Sequence, residues 1–247
     1  MIQIRNLVKK FGDRTITDNL NLSIPSGQMT VIIGRSGEGK SLLLKQIIGL
    51  IKPTSGQILI DDTDITKLNP SQLNEQLKKF GYVFQFAALL DSLTVWQNVG
   101  ISMLNDGHQK EEIIPIIKEK LALVQLPEDT LYKYPSELSG GMAKRVGLAR
   151  TLITNPKIIL YDEPTTGLDP VTERRIHELM FGLQKQFQVT SIVITHSTDL
   201  FQFADNIAFL YQGNIAYFGP AKDIWQCTNP YIYQFIRGLP NGPIKTY

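Results

Sequence analysis

The chain has very little cysteine. Its 247 residues contain one, Cys227, so no disulfide can form within the chain. Disulfide bonds persist in oxidising compartments and are rare where thiols are kept reduced. The composition therefore contains no sign of an extracellular framework, and we expect the protein to work in the cytoplasm.

Excess charge and long apolar runs are missing as well. Lys and Arg number 25 and Asp and Glu 23, a formal net charge of +2, so composition offers no polybasic surface and we expect no nucleic-acid partner. No uninterrupted apolar run approaches the roughly 18 residues that span a membrane. Arg5, Lys9 and Lys10 interrupt the first eleven residues, where a secretory leader would be apolar. We expect neither a leader nor a spanning helix, so any work at a membrane would go through a partner.

What is present is an alternation of short apolar runs with stretches of helical period, which predicts an α/β fold. The predicted strands cover residues 2–8, 20–24, 29–33, 57–60, 80–84, 158–162, 191–195, 207–211 and 215–218. The predicted helices cover residues 40–50, 71–79, 94–104, 110–124, 139–153, 171–187, 198–204 and 231–237. The early strands are separated by turn residues and predict antiparallel hairpins, whereas the later ones alternate with helices and predict parallel pairing. The lack of any predicted strand between residues 87 and 155 indicates a helical insert.

A glycine-rich run follows the predicted strand 29–33 and opens a helix. It consists of Gly34, Arg35, Ser36, Gly37, Glu38, Gly39, Lys40 and Ser41. This is the G-x-x-x-x-G-K-[ST] spacing of a P-loop, whose glycines let successive N–H groups point at phosphate oxygens at a helix N-terminus. Lys40 would reach the β- and γ-phosphates, and the Ser41 hydroxyl would take a position on Mg²⁺. An ordinary glycine turn is the alternative, but the strand and helix around the run favour nucleotide binding.

Two acidic residues end the apolar run 158–161. Acids at the carboxyl end of a buried strand lie where α/β folds bind ligands. We expect Asp162 to hold Mg²⁺ through water and Glu163 to polarise the attacking water. A structural cap is the alternative interpretation of such a pair.

A further segment resembles a known family. Leu138-Ser139-Gly140-Gly141 heads a predicted helix just upstream of the acidic pair and resembles the signature motif of ATP-binding cassette (ABC) ATPases. The other positions of that family's set follow in order, over essentially the whole chain. They are Phe11 before the P-loop, Gln85 after a strand, Gly167-Leu168-Asp169 after the acids, and His196 after the strand 191–195.

The resemblance implies a fold and an enzyme. The fold is that of an α/β P-loop NTPase (RecA-like), a mixed sheet with an antiparallel β-subdomain and an inserted α-helical subdomain. The implied domain is 1–237, with a catalytic core of 1–86 and 156–237, a helical subdomain of 87–155 and a C-terminal tail of 238–247. The implied cofactors are ATP and Mg²⁺. The implied activity is ATP hydrolysis coupled to transport.

The resemblance also implies roles for single residues. Phe11 would stack on adenine, an arrangement that its aromatic ring permits, although it could equally be a core residue. Gln85 would sense Mg²⁺ and the attacking water, and His196 would hold the γ-phosphate and water. Ser139, Gly140 and Gly141 would offer N–H donors to the ATP of a second copy in a head-to-tail homodimer, with Asp169 joining the two sites. Taken singly, Gln85, Asp169 and His196 are the kind of residues more often found on the surface or at caps.

One position departs from the family. Met142 follows the signature where many members carry glutamine, so contacts of that glutamine are not expected here. Three segments, 84–95, 137–150 and 233–244, resemble the ATPases that serve Mla-type phospholipid transporters with MCE-domain partners. That resemblance implies a peripheral location on the inner face of the cytoplasmic membrane, beneath an integral-membrane permease.

Two further segments carry expectations. Residues 86–93 include a run of apolar residues where the family receives a helix of the membrane subunit, and we expect the segment to line the docking groove; packing within the helical insert is the alternative. The last residues hold Tyr231, Tyr233, Phe235 and Tyr247. Because disordered tails are poor in aromatics, we expect this tail to run extended and to pack on its own domain or across the dimer.

Two other functions stay open on the sequence. One is the ATPase of an importer for polar solutes or ions, which shares the chemistry and differs in its partners. The other is a soluble ABC ATPase that does not transport, of the iron–sulfur assembly type. A translation factor usually carries two cassettes in one chain, and the single P-loop disfavours it.

Overall fold

The fold is that of a computed structural model, which describes residues 1–245. These residues fall into two compact units, one formed by Met1–Gln76 with the chain from Ile192 onward and one formed by Leu77–Ser191. The strands are β1 (Ile2–Phe11), β2 (Arg14–Ile24), β3 (Met29–Ile33), β4 (Ser55–Ile60), β5 (Thr63–Asp64), β6 (Phe80–Val83), β7 (Ile158–Asp162), β8 (Thr190–Ile194), β9 (Asn206–Tyr211) and β10 (Asn214–Pro220). The α-helices are α1 (Lys40–Ile47), α2 (Pro70–Leu77), α3 (Val95–Val99), α4 (Ile101–Asn105), α5 (Lys110–Leu123), α6 (Gly140–Leu152), α7 (Pro170–Phe187) and α8 (Pro230–Ile236).

The first unit contains two sheets. β2, β1, β4 and β5 form an antiparallel sheet in that order, which confirms the predicted antiparallel hairpins. In the other sheet β10, β9, β3 and β8 lie in that order, and β3 pairs with β9 in parallel. All five residues of β3 are buried, as expected for a strand covered on both faces. The P-loop therefore starts at the end of a strand that packing holds fixed.

The second unit is mostly helical. β6 and β7 pair in parallel, and α3 to α6 lie between them in the sequence. Residues 87–155 contain no strand, which confirms the predicted helical insert. The helix starts follow local chemistry: Thr94 and Gln97 form a capping box at α3, and Asp169 with Pro170 starts α7 as predicted.

The prediction of parallel pairing for the late strands is wrong at β10, which pairs with β9 antiparallel. The two strands are joined by Gln212 and Gly213, whose φ angles are +47° and +77°. Two successive positive φ angles are typical of the type I′ turn that closes a two-residue hairpin. A Gln-Gly pair is a weaker signal for this turn than Asn-Gly, so the sequence did not predict the hairpin.

Several element bounds differ from the predictions. β2 begins at Arg14 instead of residue 20, because its exposed residues pair with β1 without an apolar pattern. The predicted helix 94–104 is two short helices divided at Gly100. The predicted helix 198–204 is a 3₁₀ turn over Thr198–Gln202.

The C-terminal tail folds back instead of running extended. Gly238 has a φ of +61°, and the main chain of Ile244 donates to Gln234 Oε1 over 2.7 Å and accepts from its Nε2 over 3.0 Å. Ile244 is buried, so the described part of the tail packs on its own domain, one of the two expected outcomes. Tyr247, part of the same expectation, lies outside the described residues.

Within residues 1–245, no helix combines the length and the apolar character that crossing a membrane requires.

Candidate functional site

The P-loop turns sharply between β3 and α1, and its glycines meet two different needs. A Cβ on Gly34 would overlap the carbonyl oxygen of Leu210, and one on Gly39 would lie 2.7 Å from Ile16 Cγ2. Gly37 has a φ of +81° with open space around it, so it is needed for its backbone conformation. Gly39 also precedes α1 with a φ of +96°. The loop is thus shaped by glycines to present its N–H groups at the N-terminus of a helix.

Two side chains of the loop hold its shape. The Lys40 ammonium donates to the carbonyl oxygens of Gly34 and Arg35, each over 2.8 Å, and the residue is buried. Glu38 accepts from the backbone N–H of Gln212 over 2.7 Å, which ties the loop to the β9–β10 turn. Lys40 therefore lies along the inside of the loop, where a bound phosphate would meet it. Glu38 was predicted to contact the nucleotide, but its carboxylate bonds the backbone of Gln212.

A cleft of about 420 Å³ adjoins the loop. The start of β2, the P-loop and the β9–β10 turn line it, through Arg14, Thr15, Ile16, Arg35, Ser36, Gly37, Glu38, Gln212 and Gly213. Its size lies within the range of about 300 to 1,000 Å³ typical of ligand sites. Arg14 was not predicted from the sequence. The signal that could have found it is its place directly opposite Phe11 across the β1–β2 hairpin.

Phe11 and His196 also belong to the first unit. Phe11 is 53% exposed, and the Lys9 ammonium lies 4.7 Å from the centre of its ring, a cation–π contact. Its exposure shows that it is not a core residue. His196 follows β8 at the strand's carboxyl end and is exposed.

The acidic pair lies in the second unit, at the carboxyl end of β7. The Tyr82 hydroxyl donates to Asp162 Oδ2 over 3.0 Å. Burial, and then the negative charge of Asp162 and this hydrogen bond, raise the pKa of Tyr82 well above its usual range. Tyr82 therefore stays a neutral donor that orients the Asp162 carboxylate.

Glu163 is close to Gln85. Gln85 Nε2 lies 3.4 Å from Glu163 Oε2, and the Thr166 hydroxyl donates to the same oxygen over 3.1 Å. Glu163 has a φ of +49°, a left-handed conformation that costs a non-glycine residue about 1–3 kcal/mol. The structure thus brings together Gln85 and Glu163, which the sequence predicted only as separate members of a set.

The signature residues begin α6. Ser139 is the N-cap and accepts from the backbone N–H of Met142 over 3.3 Å, while Ser139 and Gly140 are exposed. A Cβ on Gly141 would lie 2.7 Å from Thr172 Cγ2 in α7. Gly141 is therefore needed for close packing, and Ser139 and Gly140 present the positive end of a 13-residue helix to the surface.

Asp169 caps α7. Its Oδ1 accepts from the backbone N–H groups of Val171 and Thr172, each over 3.0 Å. These hydrogen bonds, those to Thr172 first, lower the pKa of Asp169. Asp169 is therefore the N-cap of α7, a role separate from its expected part in joining the two nucleotide sites of a dimer.

Each residue that the sequence predicts to bind Mg²⁺ has a side-chain donor whose chemistry fits that ion. Ser41, Gln85 and Asp162 supply hydroxyl, amide and carboxylate oxygens, the hard ligands that Mg²⁺ prefers together with substrate phosphates. Among residues 1–245 no group of three His, Cys, Asp or Glu side chains is placed to hold a metal.

Comparison with known proteins places these features in a family. Residues 17–166, more than half of the chain, match the family model described as ABC transporter. The chain is 40% identical over 245 residues to the probable ribonucleotide transport ATP-binding protein mkl of Mycobacterium tuberculosis. This match covers 98% of the chain and 68% of that protein. It is 37% identical over 247 residues to the intermembrane phospholipid transport system ATP-binding protein MlaF of Haemophilus influenzae. This match covers 99% of the chain and 93% of that protein.

Two further matches bear on function and fold. The Fe(3+) ions import ATP-binding protein FbpC of Escherichia coli O157:H7 is 38% identical over 226 residues, which is 91% of the chain and 63% of that protein. The dimeric, ADP- and Pi-bound structure of the ATP-binding cassette MJ0796 superposes with a TM-score of 0.81 at 33% identity, covering 90% of the chain and 99% of MJ0796. The predicted P-loop NTPase fold and ATP binding are confirmed. The chain belongs to the ABC transporter family and is one of its ATP-binding, ATP-hydrolysing cassettes.

Proposed function

We propose that the chain is the ATPase subunit of a transporter that moves phospholipid through a separate membrane permease with an MCE-domain lipid-binding partner. The observation that carries the proposal is the match to MlaF, which runs along 99% of the chain and 93% of that protein. It therefore includes the segment after Gln85 and the tail, two of the segments that resemble the ATPases of Mla-type phospholipid transporters. We further propose a cytoplasmic location, peripheral on the inner face of the membrane.

ATP would bind along the P-loop and its cleft. The backbone of Gly34 to Gly39, with the N-terminus of α1, supplies N–H donors to the phosphates, and Lys40 moves its hydrogen bonds from loop carbonyls to phosphate oxygens. Arg35 and Ser36 line the cleft, and Phe11 offers an exposed ring to adenine. Arg14 adds a positive charge beside them.

Hydrolysis would use the carboxylate of Glu163 to take a proton from the attacking water. Gln85 and Thr166 orient that carboxylate, and His196 holds the γ-phosphate and the water. Ser41, Asp162 and Gln85 would hold Mg²⁺, which when bound neutralises charge on the β- and γ-phosphates.

We propose a head-to-tail homodimer with ATP at its interface. The exposed Ser139 and Gly140 place N–H donors and a helix N-terminus at the surface, where a phosphate of the partner's nucleotide can meet them. Asp169 joins the two sites through the start of α7. MJ0796, at 33% identity, forms a dimer in its solved structure, and this supports the same assembly here.

The permease would dock on residues 86–93. Phe86 is 79% exposed and Leu90 is 48% exposed, while Asn98 Oδ1 and Nδ2 bond the Leu90 backbone and hold this stretch in place. Leu90→Glu would therefore charge the surface without breaking the Asn98 bonds. We expect it to lose co-purification with the permease, whereas Leu50→Glu, at an exposed leucine of the other unit, keeps it. Equal co-purification of both variants would refute docking at this segment.

The domain boundaries also belong to the proposal. We propose a catalytic core of 1–86 and 156–237, a helical subdomain of 87–155 and a tail of 238–247, of which residues 246–247 lie outside the described structure.

The cargo is tested by purification of the chain with its native membrane partners, followed by identification of the permease and of the co-purifying small molecules by mass spectrometry. Transfer of a fluorescent phospholipid between vesicles is then measured with ATP for the wild type and for Glu163→Gln. We expect bound phospholipid, an MCE-domain partner, and transfer that the variant loses. Co-purification of no lipid and no MCE-domain partner would overturn the lipid assignment.

The second candidate is an importer of ions or polar solutes, favoured by the match to FbpC. In that case the same purification recovers a solute-binding protein, and ATPase activity rises with the solute instead of with phospholipid. If the chain is a soluble non-transport ATPase, the same purification recovers no membrane protein.

A further inference from the structure

The turn that carries Gln85 is an unusual piece of backbone. It follows β6 at residues 85–88, and Ala87 and Ala88 have φ angles of +55° and +49°. Left-handed backbone is strained for any residue with a Cβ, so two such alanines in succession persist only where other contacts hold them. Those contacts determine the conformation of the turn, and with it the direction of the Gln85 side chain.

The contacts come from one face of α6. The Arg150 guanidinium donates to the carbonyl oxygens of Ala87 and Ala88, each over 2.6 Å. The Lys144 ammonium donates to the carbonyl oxygen of Gln85 itself. Because an α-helix brings residues three apart onto neighbouring positions, Lys144, Gly147 and Arg150 form one row along the helix.

Gly147 lets this row come close to the turn. A Cβ at this position would lie 3.3 Å from the Ala87 carbonyl oxygen and 3.4 Å from Ala87 Cα. Lys144 is buried, so its ammonium depends on acceptors of the protein for its hydrogen bonds. A buried cation that donates to a carbonyl loses much more when the bond is broken than an exposed one does.

We propose that Lys144 and Arg150 are positioning residues for hydrolysis: by holding the carbonyl oxygens of residues 85, 87 and 88, they keep the Gln85 amide directed at Glu163. The inference rests on the proposed roles of Gln85 and Glu163, whose side chains lie 3.4 Å apart. A row of cations that bonds only main-chain carbonyls explains why the turn tolerates two left-handed alanines. Neither residue was singled out from the sequence, because their partners are backbone atoms about sixty positions away.

Lys144→Met tests the inference, because it keeps the apolar stem and removes the donor. Arg145→Met is the matched control: Arg145 is the next residue and also donates to main-chain carbonyls, those of Val124 and Gln125, in a different loop. On the purified full chain we expect Lys144→Met to lower kcat about 10-fold with the Kd for ATP within about twofold of wild type. Arg145→Met keeps kcat, and Lys144→Arg restores most of it. Equal kcat for the Met variants at 144 and 145 would overturn the inference.

A double variant separates this inference from the proposed function. If Lys144 acts through Gln85, adding Lys144→Met to Gln85→Ala causes no further loss of kcat, whereas multiplied losses would overturn the inference. If Gln85→Ala alone leaves hydrolysis unchanged, the proposed role of Gln85 fails together with this inference. If Gln85→Ala abolishes hydrolysis and Lys144→Met does not affect it, the inference alone fails.

Arg150→Lys is a conservative variant that tests Arg150 in a protein expected to fold. It keeps the charge but loses the fork that reaches two carbonyls at once. We expect a folded protein with kcat lowered several-fold and unchanged ATP binding. Wild-type kcat would count against the role of Arg150.

Discussion

Glu163 combines backbone strain with carboxylate contacts that orient it. Its φ of +49° is a conformation that favours glycine, yet the residue carries a carboxylate bonded by Gln85 and Thr166. Strain of this kind is maintained where the surrounding structure over-determines it, often at functional sites. Contacts within the protein therefore set the direction of the Glu163 carboxylate.

Glu163→Gln removes the proton acceptor and keeps the shape of the side chain. Loss of a general base costs about 10² to 10⁴ in rate, so we expect kcat to fall by at least about 100-fold while ATP still binds and traps a closed dimer. Single-turnover hydrolysis and equilibrium nucleotide binding measure the two effects. Glu178→Gln, at an exposed ion pair with Arg174 on α7, is the control and keeps wild-type rates. Wild-type turnover in Glu163→Gln would mean that another group activates water.

Lys40→Ala acts on binding. The ammonium donates to Gly34 and Arg35 and is placed to transfer to phosphate, and a hydrogen bond to a charged group contributes about 1.5–3 kcal/mol. We expect the Kd for ATP, measured by calorimetry, to rise about 10- to 100-fold. Lys45→Ala removes an exposed lysine from the same helix and should leave the Kd unchanged. An unchanged Kd in Lys40→Ala would contradict the phosphate contact.

Short-range signals in the sequence predicted most of the helices and strands. The glycine run between β3 and α1, and Asp169-Pro170 before α7, have a local physical cause and were predicted correctly. The start of β2 was missed because its exposed residues are held by pairing with β1, which no local pattern reveals. The antiparallel β10 depends on positive φ at Gln212, and glutamine is a poor predictor of such a turn.

The residues of the candidate site also differ in whether a local pattern in the sequence indicates them. Residues with a motif of their own, such as Lys40 and Asp162, could be predicted from spacing. Arg14 was missed, because the predicted strands 2–8 and 20–24 did not include the part of the hairpin whose register brings it opposite Phe11. Lys144 and Arg150 bond main-chain oxygens, so no side-chain pairing pattern exists in the sequence to predict them.

The contact between α6 and α7 predicts opposite effects on stability for two glycine substitutions. A Cβ on Gly141 would lie 2.7 Å from Thr172 Cγ2, whereas one on Gly182, an exposed residue within α7, meets nothing within 4 Å. We expect Gly141→Ala to lower the free energy of unfolding by about 1–3 kcal/mol through overpacking. Gly182→Ala should raise it by about 0.5–1 kcal/mol, because alanine is the better helix former. Chemical denaturation of both variants measures the difference, and equal effects would mean that the helices shift apart freely.

The near-neutral net charge of the protein is compatible with an anionic ligand. The net charge of +2 gives no general attraction to ATP. The positive groups are instead concentrated locally, as loop N–H groups, the N-terminus of α1, Lys40 and the arginines of the cleft. Local donors of this kind are selective for the shape of a phosphate, which a diffuse surface charge is not.

The tail connects the end of the chain to its core through one buried amide. Gln234 is 4% exposed, and its side chain bonds the main chain of Ile244 twice and that of Leu239 once. Removal of residues 238–247 would leave this amide without those partners, at about 1–3 kcal/mol, and would remove the buried Ile244 side chain, at about 1.5–3 kcal/mol. We therefore expect truncation after Arg237 to lower the free energy of unfolding by several kcal/mol.

Single substitutions in the full chain separate the two contributions. Ile244→Ala removes the apolar contact and should cost about 2–4 kcal/mol, whereas Leu239→Ala, at a side chain that is 40% exposed, should cost less than about 1 kcal/mol. Thermal and denaturant unfolding at fixed protein concentration, with the oligomeric state followed by light scattering, distinguishes intrachain packing from contacts across a dimer. A truncated chain with unchanged stability and unchanged association would refute a structural role for the tail. Lower association at unchanged monomer stability would instead move that role to the dimer interface.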